Sequence, residues 1–160
     1  MKILFVCTGN TCRSPMAEAI AKTILKEKGI TEDEIQVSSG GLWAMTGESA
    51  SLQAITVMEN HGIDLSVHRS KPLTREMVLS ADLILTMTPA HRSGVLSLAP
   101  ETAERVFTLG EFIQGETEAN GGILDPYGQT VAVYEQCAAE LEDKIKNALE
   151  IIINRQDLLS

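Results

Sequence analysis

Lys2-Ile3-Leu4-Phe5-Val6-Cys7-Thr8-Gly9-Asn10-Thr11-Cys12-Arg13-Ser14-Pro15 is the stretch from which the rest of the chain is read. Residues 2–6 are a short apolar run, which predicts a buried strand. Thr8, Gly9 and Asn10 break it. Ser14 is the expected N-cap of a helix, with Pro15 at the first helical position and Glu18 close behind. Ile20, Ile24 and Leu25 give that helix an apolar face, and Gly29 supplies its stop. The stretch is therefore a strand, a tight loop and a helix N-terminus in immediate succession.

Downstream the alternation repeats. Residues 35–38 predict a second strand, after which Gly40 and Gly41 turn the chain toward Trp43. Residues 49–61 predict a helix with Leu52, Ile55, Val57 and Met58 on one face and Gly62 as its stop. A short helix is expected at 74–79, after Pro72, and a third strand at 82–87. Pro89 opens a helix that runs from about 90 to 98, and residues 105–109 predict a fourth strand. Residues 115–128 form a long loop rich in glycine and acidic residues, ending in Asp125-Pro126-Tyr127-Gly128. A last helix is expected over 130–154, with Tyr134, Cys137, Leu141, Ile145, Leu149 and Ile152 on its apolar face. Strands alternating with helices imply an α/β fold whose parallel sheet is covered on both sides. Ligands of such folds sit at the carboxyl ends of the strands. No repeat, low-complexity run or linker interrupts the pattern, so residues 1–160 are expected to be a single domain.

Composition narrows the partners. The 160 residues are 44% apolar and 22% charged, the balance of one globular domain. No run approaches the roughly 20 apolar residues of a membrane span. The stretch from Ile3 to Val6 is too short for a signal-peptide core, so the chain is expected in the cytoplasm. A net charge of −9 argues against general affinity for nucleic acid or an anionic membrane. An anionic substrate must therefore be held by a local feature. Three cysteines, Cys7, Cys12 and Cys137, are too few and odd in number for a disulfide framework, and no Cys/His spacing suits zinc. No metal or cofactor is expected, and the chain is expected to act as a monomer.

The loop supplies that local feature. Helix N-termini present unpaired N–H groups and a positive dipole end, and a curled loop aims further N–H groups at the same point. Gly9 permits the curl, with Thr8, Asn10, Thr11 and Cys12 completing its wall. Arg13 adds a planar fork for two phosphate oxygens. Cys7 makes the anion site reactive. A helix N-terminus and a cationic neighbour favour the thiolate, and Ser14 is placed to hydrogen-bond it. Attack at phosphorus gives a phosphocysteine intermediate. Asp125 is the candidate acid for the leaving group and the later base for water, with Pro126 stiffening the loop that presents it. Asn10 is the candidate that fixes the loop's shape. Trp43 and Tyr127 are candidate walls of the substrate slot, and Leu42 a weaker one.

Rival readings are weighed on the same residues. A nucleotide P-loop is excluded because the loop has no lysine. A non-catalytic phosphate binder needs neither Cys7 nor Asp125, yet both are present. Arsenate reduction needs relay cysteines beyond the loop, and Cys137 falls on a core face. Cys-x5-Arg alone is a weak signal. Followed by Ser, placed between strand and helix, and joined by a distant Asp-Pro-aromatic, it is a specific one. His61, His68 and His91 read as helix-end or surface residues with no role.

These motifs, from Val6 to Glu18, Ser39-Gly40-Gly41 and Asp125-Pro126-Tyr127-Gly128, resemble the low-molecular-weight protein tyrosine phosphatase family over essentially the whole chain. The resemblance implies a four-stranded parallel sheet flanked by helices and phosphorylated proteins as substrates. It implies Cys7 as nucleophile, Arg13 and the loop amides as phosphate ligands, and Asp125 as acid and base. It also implies that Cys12 forms a reversible disulfide with Cys7 on oxidation. Tyrosine-specific members typically carry isoleucine where this chain has Thr11. The bacterial protein-arginine-phosphatase branch carries threonine there, and this sequence looks more like that branch. The expected activity is hydrolysis of phosphoarginine in proteins, with phosphotyrosine the alternative.

Overall fold

The computed structural model describes residues 1–114 and 122–159. Four strands, β1 (Lys2–Cys7), β2 (Gln36–Gly41), β3 (Leu83–Thr86) and β4 (Val106–Thr108), form one sheet. Their order is β2-β1-β3-β4 and every pair is parallel. The helices are α1 (Arg13–Glu27), α2 (Leu52–Asn60), α3 (Arg75–Ser80), α4 (Pro89–Leu98), α5 (Leu109–Gln114) and α6 (Val131–Leu159). The expected architecture, a four-stranded parallel sheet between helices, is the observed one. No helix among the described residues is long and apolar enough to cross a membrane.

β1 explains the layering. A parallel strand covered on both faces is apolar throughout, and its side chains alternate between the two faces. Ile3, Phe5 and Cys7 join Met16, Ile20, Val57, Tyr134 and Leu141 on the side of α1, α2, α5 and α6. Leu4 and Val6 join Val78, Val95 and Val106 on the side of α3 and α4. The six residues of the expected α6 stripe, from Tyr134 to Ile152, are all buried. After β1 the chain crosses to β2 on one side, and β3 then returns to the other side of β1. The loops leaving β1 and β3 diverge there, which opens a crevice at their carboxyl ends.

Several boundaries differ from expectation, each for a local reason. Cys12, not Ser14, holds the N-cap position of α1, and it makes no side-chain cap bond. Ser14 is inside the helix with its hydroxyl turned to the loop. Leu52 is 79% exposed, because the buried residues of α2 are Ala54, Val57 and Met58, spaced i, i+3, i+4. The fourth strand is shortened by α5. Thr108 Oγ1 accepts from Glu111 N at 3.1 Å, and Glu111 Oε2 accepts from Thr108 N at 3.4 Å, a reciprocal capping box. Of the expected loop at 115–128, residues 115–121 lie outside the described residues.

The end of β2 buttresses the loop after β1. Leu42 N donates to Cys7 O at 3.0 Å and Trp43 N to Thr8 O at 2.9 Å. Gly41 makes the approach possible. A Cβ there would lie 2.6 Å from Thr8 O, 2.8 Å from Ala44 Cβ and 2.9 Å from Asn10 N. Two of those atoms are backbone and cannot swing away. Gly41→Ala is expected to cost about 1–3 kcal/mol and to lower phosphatase turnover with it. Urea denaturation with a parallel activity assay checks this. An unchanged midpoint would mean that the loop yields freely.

Candidate active site

Cys7 ends β1, and the curl from Thr8 to Cys12 delivers the chain to α1. Asn10 is the loop's only positive-φ non-glycine, at φ 55°, in the left-handed region that asparagine tolerates. Its side chain fixes that turn. Asn10 Oδ1 accepts from Lys71 N at 2.9 Å, and a backbone N–H can only donate, so the other end of the amide is the nitrogen. That Nδ2 donates to Ser14 Oγ at 2.8 Å and to Ser39 Oγ at 2.9 Å. With Ser14 Oγ already accepting, its proton is free for Cys7 Sγ, 2.9 Å away. The chain of donors thus ends on the sulfur.

Arg13 opens α1 and is 4% exposed. Its guanidinium has two differently occupied edges. Nη1 donates to Ile123 O at 3.0 Å, and Ile123 N in turn donates to Met87 O at 2.9 Å, just past β3. This tether brings Asp125 to the pocket, with Oδ2 3.5 Å from Arg13 Nη2. Asp125 Oδ1 accepts from Tyr127 N at 3.1 Å, an Asx turn that sets the carboxylate's direction. Arg13 Nε is buried and has no partner among the described residues. The Nε/Nη2 edge is the fork that matches two oxygens of one phosphate.

Cys7, Thr8, Gly9, Thr11, Cys12, Arg13, Trp43, Asp125 and Tyr127 line one open pocket, with Met45 and Glu48. The structure brings together the candidate nucleophile and acid with two of the candidate slot walls, Trp43 and Tyr127. Trp43 and Tyr127 are 83% and 72% exposed, rings standing at the rim. Leu42 is not in the pocket; it packs on the α3/α4 side, against Gly94. Met45 and Glu48, at the same mouth, were not singled out in the sequence. Cys12 is buried behind the loop, 3.1 Å from Tyr134 Oη and 3.6 Å from Ser51 Oγ. Burial holds the Tyr134 phenol well above its ordinary value. Cys137 is a core residue whose thiol burial pushes up to about 12, so it is poorly suited to relay a disulfide.

Two histidines depart from expectation. His68 Nε2 donates to Asn10 O at 2.8 Å. His91 is 6% exposed, with Nε2 2.8 Å from Thr8 Oγ1. Burial, and then the charge of Arg13, push its imidazole down to about 4, against the pull of Asp125. A titratable residue in the first turn of a helix that follows a strand lies at the same sheet edge as the loop after β1. That signal, in Thr88-Pro89-Ala90-His91, was present in the sequence.

A strand–loop–helix turn that gathers a cysteine, an arginine and an aspartate in one pocket is suited to phosphate chemistry. The chain belongs to the family described as low molecular weight phosphotyrosine protein phosphatase, whose model matches residues 2–157. It is 40% identical over 146 residues to the protein-arginine-phosphatase of Bacillus subtilis, covering 91% of this chain and 93% of the relative. It is also 40% identical over 149 residues to the low molecular weight protein-tyrosine-phosphatase PtpB of Staphylococcus epidermidis, covering 91% and 97%. Among solved structures, it is similar to the YwlE arginine phosphatase, a cysteine-to-serine mutant with a phosphorylated active site serine. That match has TM-score 0.88 and 38% identity, over 98% of this chain and 99% of the other.

Proposed function

We propose that this protein hydrolyses phosphoarginine in proteins through a phosphocysteine intermediate. The observation that carries the choice is Thr11 in the pocket wall, its hydroxyl 3.6 Å from where a Cβ on Gly9 would stand. A hydroxyl there serves the N–H groups of a guanidinium, whereas a branched aliphatic serves a phenyl ring. The two carboxylates lining the pocket, Glu48 and Asp125, support the same reading, since they suit a cationic group better than a neutral ring. Overall identity does not choose, because arginine and tyrosine phosphatases both stand at 40%.

The Cys7 thiolate attacks phosphorus while the bond to the guanidine nitrogen breaks. The leaving electron pair is protonated by Asp125. Arg13 and the loop amides hold the equatorial oxygens, where charge accumulates. Asp125, now a carboxylate, takes a proton from water as that water attacks the phosphocysteine. The P–S bond breaks and the thiolate returns, so protons and charges balance over the cycle.

The test is kcat/KM on matched peptides carrying phosphoarginine or phosphotyrosine, with the parent protein and Thr11→Ile. The parent is expected to prefer phosphoarginine. Thr11→Ile is expected to shift the ratio toward phosphotyrosine by about tenfold to a few hundredfold, the range for one pocket contact. Equal changes on both substrates would remove Thr11 as the filter. A parent that prefers phosphotyrosine would overturn the arginine reading and leave the roles of Cys7, Arg13 and Asp125 standing.

A further inference from the structure

We propose that His91 is a positioning residue of the phosphatase: its Nε2–H fixes the Thr8 hydroxyl as a hydrogen-bond donor to a phosphoryl oxygen in the pocket. The inference rests on the phosphatase reading but not on the choice between arginine and tyrosine substrates. Thr8 follows the nucleophile directly, is exposed, and lines the pocket. His91 stands behind it, buried in the first turn of α4. The single bond between them, 2.8 Å from Nε2 to Oγ1, runs in one of two directions. The tautomer decides which.

The buried surroundings choose the tautomer. His91 Nδ1 is buried and has no partner among the described residues. If Nδ1 carried the proton, the fold would hold an orphaned donor, which is rare and costly. If Nε2 carries it, Nδ1 is only an unused acceptor, and under-satisfied acceptors are better tolerated. Nε2 therefore donates to Thr8 Oγ1. The Thr8 hydroxyl has one proton and two lone pairs. With one lone pair occupied from behind, its proton is left for the pocket side. The opposite tautomer would draw that proton back toward the imidazole and leave the substrate a lone pair facing phosphoryl oxygens.

Neutrality matters as well. Burial and Arg13 together keep the imidazole uncharged at working pH. The phosphoryl group thus receives an extra neutral donor beside Arg13, and the loop is spared a second buried cation.

The experiment uses p-nitrophenyl phosphate, which reads phosphate release independently of the natural substrate. Thr8→Val keeps shape and removes the donor. His91→Leu removes the positioning bond, and His91→Gln keeps an N–H donor. Thr8→Val and His91→Leu are each expected to lower kcat/KM by about 10- to 100-fold, the scale of one hydrogen bond to a charged group. The double variant is expected to be no worse than Thr8→Val alone, and His91→Gln to recover most of the loss. Ring 15N shifts of the parent are expected to show protonated Nε2 and bare Nδ1. Multiplying losses in the double variant, or a proton on Nδ1, would overturn the proposal. Because Thr8 is on the surface, Thr8→Val tests the donor even where His91→Leu fails to fold, and parent-like turnover would end the matter. A parent without turnover would instead refute the phosphatase reading.

Discussion

Cys7→Ser is expected to release phosphate at least about 10⁴-fold more slowly than the parent, the scale on which removal of a nucleophile stops a covalent enzyme. The fold should be unaffected. Cys7 is 2% exposed, and serine is smaller by little and able to accept the same bond from Ser14, 2.9 Å away. The loss is chemical, since an alkoxide at that position is far harder to form than a thiolate. Anion binding should persist, because Arg13 and the loop amides are unchanged. Steady-state release measured beside inorganic-phosphate binding separates the two. Turnover above about one hundredth of the parent would mean that sulfur is not the attacking atom. Slow accumulation of one phosphoryl group on the variant would place the substituted hydroxyl in line with phosphorus; the similar YwlE mutant carries a phosphorylated active site serine.

Asp125→Asn is the second large effect. The amide keeps the shape and can keep the bond from Tyr127 N, 3.1 Å in the parent, but cannot give up a proton as an acid does. General acid catalysis is worth about 10²–10⁴-fold, so kcat should fall by that factor on a substrate whose leaving group needs protonation. The fall should be much smaller on p-nitrophenyl phosphate in the first step, because that leaving group departs as a stable anion. Stability should barely change. Asp125 is half-exposed and its contact with Arg13 is 3.5 Å, an ion pair of small net worth. A series of aryl phosphates measures this as the slope of rate against leaving-group basicity. An unchanged slope in Asp125→Asn would mean that the residue positions the loop without moving the proton.

The parts that the sequence made legible are those with a strong local signature. β1 is apolar from Ile3 to Val6, Gly29 and Gly62 are left-handed stops, and the α6 stripe repeats from Tyr134 to Ile152. The loop from Cys7 to Ser14 was readable because its residues are consecutive. Asp125 was readable because Asp-Pro-aromatic is a compact motif. α5 went unread although Thr108-Leu109-Gly110-Glu111 is a capping box, because the apolar run Val106–Thr108 ahead of it suggested more strand. Leu52 is apolar but out of phase with Ala54, Val57 and Met58, so apolarity alone does not place it on the core face. His68 and His91 went unread for a different reason. Each acts through one long-range bond, to Asn10 and to Thr8, which no periodicity betrays; the place of His91 in the first turn after β3 points only to the sheet edge, not to its partner.

Arg13 is shared property. Nη1 holds Ile123 O, Nη2 lies 3.5 Å from Asp125 Oδ2, and Nε has no partner among the described residues and is left for the anion of the proposed reaction. Whatever orders the guanidinium from one side orders it for the other. Occupancy of the cradle and seating of the acid are therefore linked equilibria, and linkage is reciprocal. A substitution anywhere in residues 122–127 that loosens the tether weakens the hold on free phosphate, at a distance from every atom that touches it.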